Sequence, residues 1–331
     1  MKPNLVRVRQ TLLGYDYAFT AFGLLVVLLL VAALRGPKLF TSEGLTIAAS
    51  VLAPLVLAAM AATPVAISGR GGVDLSVGPL MAFLNVAIVT WLINEGLTGV
   101  VPVVAFALAA GALFGLIQGL LVSLVRLQPV VVTLSGFLFL SGLANVIHTN
   151  GSEATFPNWL SSLSGTTAGI PTAAIVVAAI CLAWVPVARS TYYRNLRLVG
   201  FDDRTAYASG VNVALIRAGA YVLGGLLGGV AALMLSSLLI SASPNVGTNY
   251  TLIALTALVL GGTSLAGGSG GMVGSVLGAI DVYLIQYALA TFQFGKSSEF
   301  VNQVANGGVL LIALLLGAVA VSLNARRRAT A

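Results

Sequence analysis

The sequence predicts an all-α polytopic membrane protein with about ten transmembrane helices, some of them discontinuous, and with both termini in the cytoplasm. Composition is the first reason, since 58% of the 331 residues are apolar, 8% are charged and the mean hydropathy is +1.03. The second is the repetition of apolar runs, because about 20 such residues cross a hydrocarbon core of roughly 30 Å as a helix. The predicted spans are 17–34, 46–68, 74–93, 100–125, 129–148, 170–188, 214–240, 250–265, 271–293 and 303–324.

The distribution of Lys and Arg is the third reason, because these residues accumulate in cytoplasmic loops. With the N-terminus inside, all but three of the 16 Lys and Arg residues fall on the cytoplasmic side; the exceptions are Arg35, Lys38 and Lys296. The segment 148–169 has no Lys or Arg and is predicted to be an external loop. The sequence pI of about 9.9 therefore reflects topology, and no nucleic-acid partner is expected.

The chain is predicted to form one transmembrane domain over residues 1–331. The first apolar run has no small-residue cleavage site after it, so we expect it to be retained as a helix. The longest polar stretches, 148–169 and 189–213, are too short for a separate soluble core. Residues 295–297 read Gly-Lys-Ser without the upstream glycine of a phosphate-binding loop, so the energy source is expected on another chain.

Glycine spacing predicts close helix packing. The chain has 38 glycines, and several lie four residues apart within one span, which lets helix backbones approach each other in lipid. A substrate groove lined by bare backbone is the alternative. The spaced glycines are Gly111, Gly115 and Gly119, then Gly224 with Gly228, Gly225 with Gly229, and Gly274 with Gly278.

Two glycine-rich breaks interrupt the apolar sequence at 68–79 and 260–271. Each is predicted to separate two half-helices within the membrane, an arrangement typical of transporters because it leaves helix ends facing a protected cavity. Asp74 and Ser76 are suited to the N-terminus of the helix that follows the first break, where a side-chain oxygen can accept a free N–H. Direct contact of these two residues with a substrate is the alternative.

A cluster of charge between two apolar runs indicates a surface for a soluble partner. An ionised side chain costs about 2.5–3.5 kcal/mol at the centre of a transmembrane helix, so such a cluster is expected in water. Asp202 and Asp203 are predicted to start a helix that Gly210 ends. A solvated loop without a partner is the alternative. The cluster comprises Arg189, Arg194, Arg197, Asp202, Asp203, Arg204 and Arg217.

Residues 72–78, Gly-Val-Asp-Leu-Ser-Val-Gly, resemble the signature of permease subunits of bacterial ABC sugar importers of the ribose, galactose, xylose and arabinose type. The resemblance continues in order through about residues 45–320. Its further blocks are 129–134, 208–212, 244–250 and 259–268.

The resemblance implies a non-catalytic subunit in the bacterial cytoplasmic (inner) membrane that imports a monosaccharide or related polyol. It implies three partners besides the lipid bilayer: an ATP-binding subunit that holds ATP and Mg, a periplasmic or extracellular sugar-binding protein, and a second permease subunit as a homodimer or heterodimer. No cofactor is implied in this chain itself.

The resemblance also implies that Asn195–Asn212 carries a short coupling helix that docks on the ATPase. The family's usual Gly-Gly-Asn is replaced here by Gly200-Phe201-Asp202, a departure that bears on the docking contacts. The candidate coupling residues are Arg197, Gly200, Asp202, Asp203, Arg204, Ala206, Tyr207, Ser209 and Gly210.

Polar residues within the predicted spans are candidates for the substrate pathway. A carboxylate in mid-span, as at Asp281, is by default functional, although a packing role and a misplaced span are alternatives. The amides could bond a sugar hydroxyl or another helix, and helix bonding is favoured. The sequence shows no paired carboxylates, catalytic triad or metal-ligand cluster, so no chemistry is expected. The candidates are Asp74, Ser76, Asn85, Gln118, Asn145, Asp281 and Gln286.

Two other functions stay open at the level of sequence. One is an ABC permease for nucleosides or branched-chain amino acids. The other is a proton-coupled secondary transporter, in which Asp74 and Asp281 would form the relay and no ATPase would be needed.

Overall fold

The structure is a computed structural model, and it describes residues 18–148, 156–292 and 300–312 except 302–303, 306 and 310. The regular secondary structure of the described part is helical apart from a hairpin of two short strands. The α-helices are α1 Phe19–Arg35, α2 Ser42–Ile67, α3 Val77–Ala87, α4 Val100–Ser123, α5 Pro129–Ile147, α6 Asn158–Ser161, α7 Thr172–Arg189, α8 Thr191–Phe201, α9 Asp203–Ala208, α10 Val213–Leu239, α11 Gly247–Leu260 and α12 Met272–Ala290. The strands are β1 Thr166–Thr167 and β2 Ile170–Pro171, which pair antiparallel.

Six of these helices, α2, α4, α5, α7, α10 and α12, are long and apolar enough to cross a membrane. The helix α1, the combined helix Val77–Ile93 and α11 are shorter but also apolar. These helices coincide with the first nine predicted spans, so the chain is an all-α, multi-pass membrane protein. The tenth, 303–324, falls mostly outside the described residues. A count of ten and cytoplasmic termini stay predictions, as does the single domain.

The two glycine-rich breaks are non-helical over most of their predicted ranges, and the first ends at Ser76 rather than at residue 79. The helix α3 begins at Val77, whereas the predicted span began at residue 74. The backbone at Gly69, Arg70 and Gly71 has positive φ, a left-handed conformation that no right-handed helix accommodates. Four glycines of the second break also have positive φ, at Gly262, Gly267, Gly268 and Gly270.

Close helix packing through glycine is confirmed on all three helices that carry the spaced glycines, α4, α10 and α12. A Cβ at Gly225 of α10 would collide with the carbonyl oxygen of Gly111 in α4, and one at Gly115 would collide with the carbonyl oxygen of Tyr221. On α12, a Cβ at Gly278 would strike the backbone of α11, and the backbone of Gly274 lies against Gly261 at the end of α11. The long helix α10 also packs against α2 and α3, which makes it the central element of the described bundle.

The polar segment after residue 155 covers one end of the bundle. Ser164 Oγ lies 2.7 Å from Ser237 Oγ of α10, and Ser50 Oγ of α2 donates to the Ser164 carbonyl oxygen at 2.9 Å. The 18-residue helix α7, about 27 Å long, connects this segment to α8. The segments at the two ends of α7 therefore lie at opposite ends of the bundle.

We expect cysteines at Ser162 and Thr205 to react from opposite sides of the membrane. Both residues are exposed, and they lie beyond opposite ends of α7. In a Cys181→Ala background, Ser162→Cys should react with an impermeant maleimide in intact cells, whereas Thr205→Cys should react only after permeabilisation. The reverse pattern would invert the topology.

Candidate functional site

The short helix α9 begins and ends as the sequence predicts. Asp202 is its N-cap, accepting bonds from the Arg204 N–H at 2.9 Å and from Thr205 Oγ1 at 2.8 Å. These two hydrogen bonds hold the pKa of the Asp202 carboxyl below its ordinary value. Gly210 follows the helix with φ 80°, a conformation that favours glycine.

The coupling segment Asn195–Asn212 contains parts of two helices. Its first part belongs to α8, which starts earlier, at Thr191, with Ser190 as a side-chain cap. The break falls at Asp202, which has φ −157° and ψ 112° and whose carboxylate caps the following helix. Because the backbone is extended there, α8 and α9 cannot form one continuous helix.

The candidate coupling residues divide into an outward and an inward group. Phe201 and Tyr207 are 78% and 77% exposed, the most exposed aromatic residues of the segment. Phe201 was not among the predicted coupling residues. The signal that could have identified it is its place in the family's usual Gly-Gly-Asn, where it replaces the second glycine. Also exposed are Asp202, Arg204, Ser209 and Gly210.

The inward group contains Arg197, Gly200, Asp203 and Ala206; burial argues against a docking contact for Ala206, whereas the other three are half-buried and their docking role stays a prediction. Ala206 is fully buried in the main apolar core, so it presents no surface to a separate subunit. The Arg197 guanidinium donates through Nη2 to the Gly270 carbonyl oxygen in the second glycine-rich break. Gly200 packs on backbone, as described below, and Asp203 pairs within the chain.

Asp203 bridges two arginines from different parts of the chain. Its carboxylate lies 2.7 Å from Arg70 Nε and 2.5 Å from Arg217 Nη2. Arg217 is only 2% exposed, near the start of α10, and also donates to the Ser68 carbonyl oxygen at 3.3 Å. Arg70 has φ 57°, a left-handed conformation that costs a residue other than glycine about 1–3 kcal/mol and persists only where surrounding contacts hold it. Arg70 was predicted only to be a cytoplasmic charge, and Arg217 was predicted to belong to a water-exposed charge cluster; the burial of Arg217 contradicts that prediction.

A buried polar cluster lies where the first break enters α3. Asp74 Oδ1 accepts the Ser76 N–H at 2.9 Å and the Ser76 hydroxyl at 2.6 Å. Since that hydroxyl has one hydrogen, it accepts in turn from Gln118 Nε2 of α4 at 3.0 Å. Asp74 thus bonds the residue just before the helix, while the Ser76 side chain makes no capping bond to α3, contrary to the prediction for Ser76.

Two residues that the sequence did not single out belong near this cluster. Thr133 Oγ1 of α5 donates to the Val73 carbonyl oxygen at 2.9 Å, which fastens the break to a neighbouring helix. Tyr221 of α10 is 1% exposed, and its hydroxyl has no hydrogen-bond partner among the described residues. It lies near enough to Asp74 and Arg217 to interact electrostatically with both.

The remaining pathway candidates lie apart from the cluster. Asn85 is fully buried, donates to Ser236 Oγ and to the Ser241 carbonyl oxygen, and accepts the Ser243 N–H, so it bonds neighbouring segments. Asn145 is exposed and donates to the Ser141 carbonyl oxygen of its own helix, while Gln286 is half-buried on α12.

Asp281 is also separate from the cluster. It lies in α12 with no exposed surface, and neither carboxylate oxygen has a hydrogen-bond partner in the described chain. Across the described ranges, no three His, Cys, Asp or Glu side chains are grouped so that they could hold a metal ion. The structure therefore brings together only Asp74, Ser76 and Gln118 of the predicted pathway residues.

The chain is similar to known membrane permeases. Residues 44–319 match the family described as branched-chain amino acid transport system / permease component. The chain is 32% identical over 301 residues to the ribose import permease protein RbsC of Escherichia coli K12, covering 88% of this chain and 91% of that protein.

Two further relatives extend the comparison. The ribose import permease protein RbsC of Bacillus subtilis 168 is 35% identical over 253 residues, or 74% of this chain and 76% of that protein. The autoinducer 2 import system permease protein LsrD of Photorhabdus temperata is 27% identical over 310 residues, or 91% of each. No solved structure matches the chain.

Proposed function

This chain belongs to the family of branched-chain amino acid transport system / permease components, and on that premise we propose that it is the membrane-spanning subunit of an ATP-driven sugar importer. The substrate class is a monosaccharide or related polyol, which passes into the cytoplasm of a bacterium. Similarity to the two ribose import permeases supports this choice over the amino acids in the family description. The subunit itself is non-catalytic, and its membrane is the inner membrane.

The observation that carries the ATP-driven part of the proposal is the pair of exposed rings on Phe201 and Tyr207. Both stand on a segment that the bundle holds firmly through buried residues on its other face. Large aromatic side chains flanked by charge are the usual anchors of protein interfaces. We assign this surface to an ATP-binding subunit, which would hold the ATP and Mg.

We assign the other partners to the opposite end and to the sides of the bundle. The segment that covers the far ends of α2 and α10 is available to an external sugar-binding protein. Large apolar side chains on α4 and α5 are exposed, among them Leu113, Leu138 and Phe139. They suit contact with lipid or with a second permease subunit.

The buried polar cluster suits a hydroxyl-bearing substrate better than it suits a proton relay. Asp74, Ser76 and Gln118 offer donors and acceptors at the break before α3, as hydroxyl groups require. A proton-coupled carrier would need Asp74 and Asp281 to communicate. No hydrogen bond leads from the Asp281 carboxylate to any other described residue.

Replacement of Tyr207 with glutamate tests the docking surface. We expect Tyr207→Glu to abolish recovery of the ATP-binding subunit with the affinity-tagged chain, because a charge replaces an exposed anchor. Uptake of labelled ribose should fall at least about tenfold, as for the loss of an interface hot spot. Tyr207 is exposed, so its substitution should leave the fold intact. Substitution of buried Ala206 or left-handed Gly210 would also perturb the fold.

Tyr207→Phe is the matched control, since it keeps the ring and should keep both the subunit and uptake. Membrane abundance of each variant is measured by immunoblot. Undiminished recovery of an ATP-binding subunit with Tyr207→Glu would remove this surface from the proposal. Failure of the unaltered chain to bring such a subunit would count against the ATP-driven importer itself.

A further inference from the structure

The inward face of the coupling segment touches both glycine-rich breaks at one point. A Cβ at Gly200 would collide with the Ile67 carbonyl oxygen and would lie 2.6 Å from the Gly268 nitrogen. Gly69 and Gly267 pack against Gly200 with similarly little space, their own Cβ positions lying 2.7 Å from its carbonyl oxygen. Three backbone segments that are distant in sequence therefore meet without intervening side chains.

Directed bonds fasten the same three segments. The Gly268 N–H donates to the Ile67 carbonyl oxygen at 3.0 Å, which joins the second break to the end of α2. Arg197 bonds the Gly270 carbonyl oxygen from α8. Asp203, at the start of α9, holds Arg70 of the first break and Arg217 of α10.

We propose that Asp203, through its bridge to Arg70 and Arg217, is the positioning residue that transmits movement of the coupling segment to the first glycine-rich break. The inference rests on the proposed function, in which an ATPase moves this segment from outside. It divides the predicted coupling residues into an outer set that docks and an inner set that transmits. The break leads within a few residues to Asp74 and Ser76, so its displacement reaches the polar cluster.

The arrangement favours transmission over passive anchoring for a physical reason. Closely packed backbone transmits displacement because it has no side chains whose rotamers could absorb it. The ion pair also fixes the position of α9 relative to α10, since Arg217 is buried and has no other carboxylate among its described contacts. Movement of α9 without movement of residue 70 would require breaking this pair.

The test follows a cysteine placed in the break, with no need to know the substrate. In the Cys181→Ala chain carrying Val73→Cys, purified with its ATP-binding subunit, the reaction rate with a maleimide is measured without nucleotide and after trapping with MgATP and vanadate. We expect nucleotide to change the rate by about fivefold or more, in the range of ordinary coupling between sites.

Asp203→Asn and Arg70→Gln are expected to abolish that nucleotide-dependent change while the ATP-binding subunit still accompanies the chain. Arg70 is half exposed, so its replacement tests the bridge even if Asp203→Asn, which leaves Arg217 buried and unpaired, fails to fold. Asp203→Glu keeps a carboxylate and should restore the response. Arg126→Gln is the control, because it removes an exposed arginine outside the charge cluster that forms no ion pair with any described residue.

The outcomes distinguish a failure of the transmission role of Asp203 from a failure of the proposed importer function. A nucleotide response that survives in both Asp203→Asn and Arg70→Gln would overturn the transmission role and leave the importer proposal intact. The same holds if the unaltered chain retains its ATP-binding subunit but shows no nucleotide response at residue 73. Absence of any ATP-binding subunit from the unaltered chain would overturn the proposed function and this inference together.

Discussion

Replacing Gly225 with leucine is expected to prevent the chain from assembling stably in the membrane. Gly225 of α10 faces the carbonyl oxygen of Gly111 in α4, and any Cβ there collides with backbone. Overpacking against movable side chains typically costs about 1–3 kcal/mol, and backbone that cannot repack should cost more. We expect membrane abundance and the apparent melting temperature in detergent to fall sharply.

Gly142→Leu is the matched control for that substitution. Gly142 also lies within a helix, α5, but a Cβ there has no neighbouring atom within 4 Å. The two variants make the same chemical change at positions that differ in the approach of a second helix. Equal abundance and equal melting temperatures for both would show that glycine contact between α4 and α10 does not hold the bundle together.

At Asp74, we expect asparagine to be tolerated far better than leucine. Asparagine retains an Oδ1 that can accept both bonds from Ser76, whereas leucine leaves a buried N–H and hydroxyl with one partner fewer. Each unsatisfied buried group costs about 1–3 kcal/mol. Uptake of whichever labelled sugar the unaltered chain imports, normalised to membrane abundance, should therefore be substantial with Asp74→Asn and lost with Asp74→Leu.

The same pair of variants separates hydrogen bonding from proton coupling. A relay needs a group that titrates, and asparagine does not titrate. Equal and complete loss of uptake with both substitutions would contradict the hydrogen-bonding role and favour a proton-coupled carrier. Either result is interpreted only if both variants reach a normal abundance in the membrane.

The helices and their breaks could be predicted because their signals are local. A run of apolar residues in lipid must satisfy its own backbone, so hydropathy alone places the helices. The cap at Asp202 and the left-handed Gly210 likewise depend on neighbours a few residues away. The boundary at residue 74 was wrong by three residues, because Asp74 lies before the helix and bonds the N–H and hydroxyl of Ser76, the residue that precedes Val77.

The partners of polar residues could not be predicted in the same way. Asn85 and Gln118 are both amides within apolar helices, yet one joins Ser236 and the other joins Ser76. A helix that is apolar on every side does not reveal which face meets which neighbour. Glycine spacing was the exception, since the spacing alone marks the contact faces of α4, α10 and α12.

The sequence by itself determined that this chain is a multi-pass helical membrane protein and, through its ordered motifs, to which permeases it is related. Only the tertiary structure decided which coupling residues face outward, and that Arg217, counted from the sequence as a cytoplasmic charge, is buried against Asp203. Hydropathy reports the transfer of each residue into lipid and is nearly independent of its neighbours in space. The ion bridge and the glycine junction depend on the relative rotation of helices far apart in the chain, which hydropathy does not encode.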